Sequence, residues 1–261
     1  MSRLTRHAAL GRRWLACGWR LLRRNPWLLG GMGACAALLL VALSAIPLLG
    51  GPLIALTAPA FLASFMLAID RVGKLNMPLP KVLRRAALRE SPRALFTVFR
   101  HERRLLPITV VSLASMAVSL LTNMLVWLIA GSAWSRSWAS LDARGMLAVA
   151  AAVLIALTVY FLLAAALVYA LPRTFLRDKP LVPEIVRSLK AGLHYATALA
   201  VVLGIVPLIM LVAVALSPLS LLVAYVVALV LYASALPLVA CALYCSYRSV
   251  YQPRPPVAAH A

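Results

Sequence analysis

Acidic side chains are scarce in this chain, which has six Asp and Glu residues against 26 Lys and Arg residues and only four His. Carboxylates and imidazoles supply most metal ligands and most general acids and bases in proteins. The histidines are scattered (His7, His101, His194 and His260), and no acidic cluster accompanies them. Phosphate-binding glycine loops and the GxSxG and HExxH motifs are also missing. We therefore predict no metal, no cofactor and no catalytic residue, and we expect that the protein is not an enzyme.

Charge of either sign is missing from long stretches of the sequence. Over the whole chain, 64% of residues are apolar and 12% are charged. Crossing the hydrocarbon of a bilayer takes about 20 helical residues. Six windows without Asp, Glu, Lys or Arg are of about this length, and they predict an all-α, polytopic transmembrane helix bundle of six spans arranged as three hairpins. The windows are Pro26–Ala45, Pro52–Ile69, Leu105–Ala130, Met146–Leu171, Tyr195–Leu216 and Pro218–Cys245.

The first apolar window invites a second interpretation, because Ala42-Leu43-Ser44 resembles a signal-peptide cleavage site. The basic region of about 25 residues before it and the apolar run of about 19 residues are both long for a signal. We expect this helix to be retained.

The basic residues are distributed asymmetrically around the predicted spans. On one side lie 24 of the 26 Lys and Arg residues, and only Arg136 and Arg144 lie on the other. Basic loops are retained in the cytoplasm, so both termini are predicted to be cytoplasmic. This divides the chain into a basic cytoplasmic amphipathic segment (1–25), a six-span transmembrane domain (26–247) and a Pro-rich cytoplasmic tail (248–261).

Three basic segments next to spans have the pattern of amphipathic helices. In residues 12–24 the arginines occupy one arc of a helical wheel, and Leu10, Trp14, Leu15, Trp19, Leu21 and Leu22 occupy the other. Arg93 to Arg104 and Ile185 to Leu193 are similar, the latter with Arg187 and Lys190 opposite Ile185, Leu189 and Leu193. Such helices lie in the cytoplasmic interface with their basic side toward anionic headgroups. The predicted contacts are Arg12, Arg13, Arg20, Arg23, Arg24, Arg93, Arg100 and Arg104.

A simpler interpretation is that these segments only stop translocation and anchor the helices. Nucleic acid is not an expected partner, because the charge is spread along membrane-adjacent segments rather than gathered in one domain.

Asn25 followed by Pro26 predicts a helix cap and a new helix at the first span.

Small and polar residues within the spans have alternative interpretations. A polar stripe in the third span either lines an aqueous path or makes interhelical hydrogen bonds, and a small-residue face in the first span predicts close helix packing. The stripe is Ser112, Ser115, Ser119, Thr122 and Asn123, and the face is Gly30, Gly33, Ala34 and Ala37.

Cys17 and Cys245, near the cytoplasmic interface, are candidates for palmitoylation.

The chain resembles a family of uncharacterised proteobacterial inner-membrane proteins. The motifs that carry the resemblance are Gly18-Trp19, Arg23-Arg24-Asn25-Pro26, Ile46-Pro47-Leu48-Leu49-Gly50-Gly51-Pro52-Leu53, Leu95-Phe96 and Phe99-Arg100. They lie in the first half of the chain. The resemblance implies six spans in a bacterial inner membrane, and it implies no catalytic or binding residue.

The leading functional hypothesis is a non-enzymatic interaction or envelope component whose basic amphipathic helices bind the cytoplasmic leaflet of the membrane. The alternative is a small transporter or channel subunit, working as a homo-oligomer, in which the polar stripe and the kinked helices at Pro59, Pro207 and Pro237 line a path. A lipid-active enzyme is a third hypothesis. The sequence indicates no particular protein partner.

Overall fold

The computed structural model describes residues 3–46, 49–74, 90–96, 102–131, 142–216 and 220–252, and the regular elements in these ranges are all helical. The predicted all-α class is confirmed. The helices are α1 (Arg3–Arg24), α2 (Pro26–Ser44), α3 (Gly50–Lys74), α4 (residues 90–95), α5 (Glu102–Ala130), α6 (Ala143–Arg177), α7 (Leu181–His194), α8 (Ala196–Leu203), α9 (Ile205–Leu216) and α10 (Leu221–Tyr251).

Five of these helices are long and apolar enough to cross a membrane, and a sixth candidate is a bent pair. In that pair, α7 meets the apolar stretch Ala196–Val212 at an angle of 89°. The apolar stretch is interrupted between α8 and α9 at Gly204. Pro207 explains this interruption, because it has no N–H to donate to the carbonyl of Leu203. The predicted windows therefore coincide with helices, while their arrangement as three membrane hairpins stays a prediction.

The junction between α1 and α2 follows the predicted cap. Asn25 Oδ1 accepts a hydrogen bond from the backbone N–H of Leu28 at 3.3 Å, and Pro26 opens α2. The side-chain oxygen thus satisfies a backbone donor that the first turn of α2 leaves without a partner. This ends the basic helix and starts the apolar one within two residues.

The core lies toward one end of the helix bundle. Its largest buried side chains come from seven helices and include Trp14, Leu29, Met66, Leu95, Tyr169, Leu199 and Tyr247. Toward the other end, α5, α6 and α10 expose large apolar side chains, such as Leu128 (82% exposed) and Leu147 (72% exposed). Water would make this exposure costly, whereas a bilayer covers such surfaces with acyl chains.

Hydrogen bonds join the helix ends that carry the core. Tyr244 Oη on α10 donates to Asp70 Oδ1 on α3 at 2.9 Å, and Ser91 Oγ on α4 donates to the carbonyl of Leu28 on α2 at 3.3 Å. We call this region the basic end. It comprises α1, α4, α7 and the last turns of α3, α6 and α10, together with the arginines that these segments carry.

The small-residue face of α2 makes the predicted close contact at one position. A Cβ atom on Gly33 would lie 2.6 Å from the carbonyl oxygen of Ala233 on α10, so only glycine allows this approach. Ala37 is also fully buried, whereas a Cβ on Gly30 would have no neighbour within 4 Å. Close packing on α10 therefore involves only part of the predicted face.

Candidate functional site

The basic face of α1 is open to the surroundings. The predicted arginines of this face are all exposed, and Arg6 lies with them on the same side of the helix. The exposed arginines are Arg6, Arg12, Arg13, Arg20, Arg23 and Arg24. The guanidinium of Arg23 lies 4.8 Å from the ring centre of Trp19, which is itself 46% exposed. An indole and an arginine paired in this way are typical of a protein surface at the headgroup region. The contact of these arginines with lipid stays a prediction.

The apolar side of α1 packs on protein, and the expectation that it lies in lipid needs correction. Trp14 is only 3% exposed, and its Nε1 donates a hydrogen bond to Ser249 Oγ on α10 at 3.0 Å. A Cβ on Gly11 would lie 2.7 Å from the carbonyl oxygen of Ala198 on α8, and one on Gly18 would lie 2.7 Å from the backbone nitrogen of Ala242 on α10. The two glycines therefore let α1 sit directly on the backbones of α8 and α10.

The sequence contains a signal for this contact, which the pattern of arginines and leucines on α1 does not reveal. Gly11 and Gly18 are seven residues apart and share a stripe with Trp14 and Leu21. Residues at that spacing lie on the same side of a helix. Glycines within such a stripe indicate a helix partner, because lipid does not require them.

The second basic segment is only partly described. Arg93 is exposed on α4, Leu95 beside it is buried in the core, and Phe96 is exposed. Arg100 and the side chain of Arg104 lie outside the described residues. Leu95 thus faces protein rather than the lipid that the amphipathic pattern predicts.

α7 has three sides rather than the two that the sequence predicts. One side is apolar and exposed, with Val182 74%, Val186 52% and Leu193 51% exposed. The next side carries the exposed Arg187 and Lys190. The third side is buried against α6 and consists of Glu184, Ser188 and Gly192.

The buried side of α7 contains a charged side chain. Glu184 is 1% exposed, and its Oε2 lies 2.9 Å from Nε of Arg173 on α6. This contact is an ion pair without hydrogen-bond alignment, because Oε2 has no aligned donor among the described residues. Arg187 Nη1 donates to Glu184 Oε1 at 3.0 Å. The carboxylate also lies in the first turn of α7, where the helix dipole favours negative charge.

Ser188 joins α7 to α6 through two hydrogen bonds with the backbone of α6. Its Oγ accepts from the N–H of Tyr169 at 3.1 Å and donates to the carbonyl of Ala165 at 2.8 Å. One turn later, a Cβ on Gly192 would lie 2.7 Å from the Cβ of Ala165. Arg173 extends the cluster to α10, with its guanidinium 4.6 Å from the ring centre of Tyr251. Local sequence patterns do not reveal this cluster, because its members come from three helices.

The polar stripe of α5 is mostly buried. Asn123 is exposed, whereas the other members of the stripe are buried: Ser112, Ser115, Ser119 and Thr122. Ser119 Oγ and Tyr160 Oη on α6 share a hydrogen bond of 3.1 Å, and Thr122 Oγ1 donates to the carbonyl of Val118. The stripe therefore includes one interhelical hydrogen bond, as the packing interpretation predicts.

Cys17 on α1 and Cys245 on α10 are joined by a disulfide. This corrects the palmitoylation hypothesis for the state described here, because a bonded sulfur cannot carry a thioester. The other cysteines, Cys35 and Cys241, are free thiols, and Cys241 is buried.

No group of three or more His, Cys, Asp or Glu side chains that could hold a metal occurs in the described part of the chain. No protein-family model, no curated protein sequence and no solved structure matches the chain. The resemblance to proteobacterial inner-membrane proteins therefore stays a prediction.

Proposed function

We propose that this chain is a non-enzymatic, multi-pass protein of a bacterial inner membrane whose basic end binds anionic lipid headgroups in the cytoplasmic leaflet. The orientation of α7 carries this proposal. α7 makes an angle of 89° with the apolar stretch that follows it. If that stretch crosses the bilayer, α7 lies along the membrane plane. Its exposed valines and Leu193 then meet acyl chains, while Arg187 and Lys190 meet phosphates.

The arginine face of α1 adds to the same surface. Arg23 and Arg24 immediately precede Asn25, where α2 begins, so they lie at the level at which a spanning helix would enter the membrane. A basic side chain near an anionic leaflet contributes about 1 kcal/mol of attraction. Six exposed arginines on one face therefore supply a substantial, salt-sensitive affinity for acidic lipid. The excess of basic residues on this side supports a cytoplasmic position for both termini.

Replacing Arg13, Arg20 and Arg24 together with Gln will reduce the stabilisation of the full-length protein by acidic lipid. The thermal midpoint in neutral detergent is measured with and without added phosphatidylglycerol, at low and high salt. The natural chain will show a rise in midpoint that shrinks at high salt, because ions screen the attraction. The triple variant will show about half of that rise or less, since it lacks three of the six exposed arginines of the face.

The matched control replaces the same three positions with Lys. This variant keeps the charge and will retain most of the lipid effect. Equal stabilisation of the natural chain and of the Gln variant would contradict the proposed function.

A transporter or channel subunit is a second candidate, which two observations favour. The helix break at Gly204 interrupts an apolar stretch, as in transporters with broken helices. The hydroxyls of Ser64 and Ser115 are buried and have no hydrogen-bond partner among the described residues.

Cysteine labelling separates the two candidates. In a background with all four native cysteines replaced by Ala, Ser115→Cys will not react with a polar maleimide in open membranes, because Ser115 is 2% exposed. Ala16→Cys, on the exposed face of α1, reports reagent access and will react. Labelling of Ser115→Cys at the rate of Ala16→Cys would instead favour the transporter.

A further inference from the structure

We propose that Cys17 and Cys245 form a redox-active site, which alternates between a disulfide and two thiols and thereby sets how firmly α1 is held on α10. The two residues are 228 positions apart in sequence, and their Cα atoms are 6.3 Å apart. The bond lies within the α1–α10 contact, next to Gly18 and one turn from Trp14. It links α1 covalently to α10, in addition to the backbone that joins α1 to α2.

The location of the pair indicates a reversible bond. The pair belongs to the basic end, and the proposed function places that end in the cytoplasm. Thiols there are kept reduced, and the disulfides that do form are usually transient, catalytic or redox-sensing. The inference thus rests on the orientation within the proposed function and does not require lipid binding. On the opposite side of the membrane the same bond would be a permanent crosslink.

The unequal exposure of the two sulfurs determines the order of the exchange. Cys17 is half-buried, whereas Cys245 is only 6% exposed. The thiolate of a small thiol such as glutathione attacks Sγ of Cys17, forming a mixed disulfide there, and Cys245 leaves as a thiolate that takes up a proton. A second small thiol attacks the small-molecule sulfur of the mixed disulfide and releases Cys17. One protein disulfide and two small thiols become two protein thiols and one small disulfide, and oxidation is the reverse.

The state of the bond affects α1 because the other contacts of that helix with α8 and α10 are noncovalent. Its stripe residues Gly11, Trp14, Gly18 and Leu21 contact α8 and α10 through packing and one hydrogen bond. With the disulfide closed, the middle of α1 cannot leave α10. With the thiols open, only packing and the Trp14–Ser249 hydrogen bond of this stripe oppose local opening of the helix.

The first test measures the thiol state in intact, growing cells. Cells that produce the Cys35→Ala, Cys241→Ala chain are quenched with acid, and free thiols are counted with a maleimide mass tag. We expect two free thiols in untreated cells, none after treatment with the thiol oxidant diamide, and two again after dithiothreitol. Cys17→Ser in the same background will keep one thiol throughout. If the double-alanine chain does not accumulate, the natural chain, which has four cysteines, is used instead. Diamide is then expected to lower the number of tags from four to two.

Two outcomes would overturn the proposal. A disulfide already complete in untreated cells would make the pair a permanent crosslink on the oxidising side, and it would reject the cytoplasmic orientation as well. Thiols that diamide does not join would mean that the pair is not redox-active. The lipid measurement in detergent is independent of orientation, so it distinguishes failure of this inference from failure of lipid binding.

The second test measures how firmly α1 is held. Inverted membrane vesicles are digested with trypsin. Each sample is reduced after digestion, and cleavage after Arg20 is followed by the mass of the N-terminal fragment. Cleavage will be roughly tenfold slower in oxidised than in reduced vesicles, because a crosslink suppresses local opening. In Cys17→Ser the rate will be fast in both conditions. Equal rates in oxidised and reduced vesicles of the natural chain would show that the bond does not hold α1.

Discussion

Replacing Glu184 with Gln will lower the free energy of unfolding by about 3–5 kcal/mol, because removing one member of a buried ion pair leaves the other charge uncompensated. The charge left behind is Arg173, whose side chain is 18% exposed and lies 2.9 Å from the carboxylate. Gln keeps the shape of Glu, so lost packing contributes little. The measurement is chemical denaturation of the full-length protein in detergent, followed by circular dichroism.

Arg187→Gln is the matched control for this prediction. Arg187 contacts the same carboxylate at 3.0 Å, but its side chain is 63% exposed. Exposed ion pairs contribute about 1 kcal/mol or less, so this variant will remain close to the natural stability. A double variant, Arg173→Gln with Glu184→Gln, will recover part of the loss, because neither charge is then left alone. Equal losses for Glu184→Gln and Arg187→Gln would show that burial of the carboxylate does not matter for stability.

Replacing Gly18 with Leu will lower the free energy of unfolding by about 3 kcal/mol, because α1 and α10 touch at this point without room for a side chain. A single Cβ would already lie 2.7 Å from the backbone nitrogen of Ala242 and 3.0 Å from its Cα, and backbone cannot move aside as a flexible side chain can. The variant will also lose the contact between Trp14 and Ser249, since both lie on the same helix pair. The thermal midpoint in detergent measures the first effect, and the fluorescence of Trp14 in a chain with the other tryptophans replaced by Phe measures the second.

Gly30→Leu provides the comparison for Gly18→Leu. It is the same substitution in a neighbouring helix, at a position where a Cβ would have no neighbour within 4 Å. We expect a change within about 0.5 kcal/mol, which is typical of surface substitutions. Comparable destabilisation at the two glycines would mean that leucine disturbs these helices for a reason other than the α1–α10 contact.

Several features could be predicted from the sequence because they depend on short stretches of chain. A window without charge forms a helix in an apolar solvent whatever its neighbours are, since every backbone group finds its partner within the helix. This is why the windows at α2, α3, α5, α6 and α10 coincide with helices. The cap at Asn25 and the arginine side of α1 are equally local, since they involve residues within a few turns.

Other features could not be predicted because periodicity shows which side of a helix is apolar but not what covers it. The same pattern that fits a helix lying on lipid also fits α1 lying on α8 and α10, and only the close approach at Gly11 and Gly18 distinguishes them. For α7 the pattern was less informative still. Its buried side is polar and small, and it is stable there because Arg173 compensates the charge of Glu184 and the backbone of α6 forms hydrogen bonds with Ser188.

Composition and local spacing account for the all-helical class, the positions of the apolar helices and the accumulation of arginine next to them. Helix packing, in contrast, establishes what the candidate site contains: α1 on α8 and α10, Glu184 buried beside Arg173, and Cys17 bonded to Cys245. Apart from the Glu184–Arg173 pair, these contacts join residues more than 150 positions apart. Such contacts depend on how whole helices pack, and no local pattern encodes that packing.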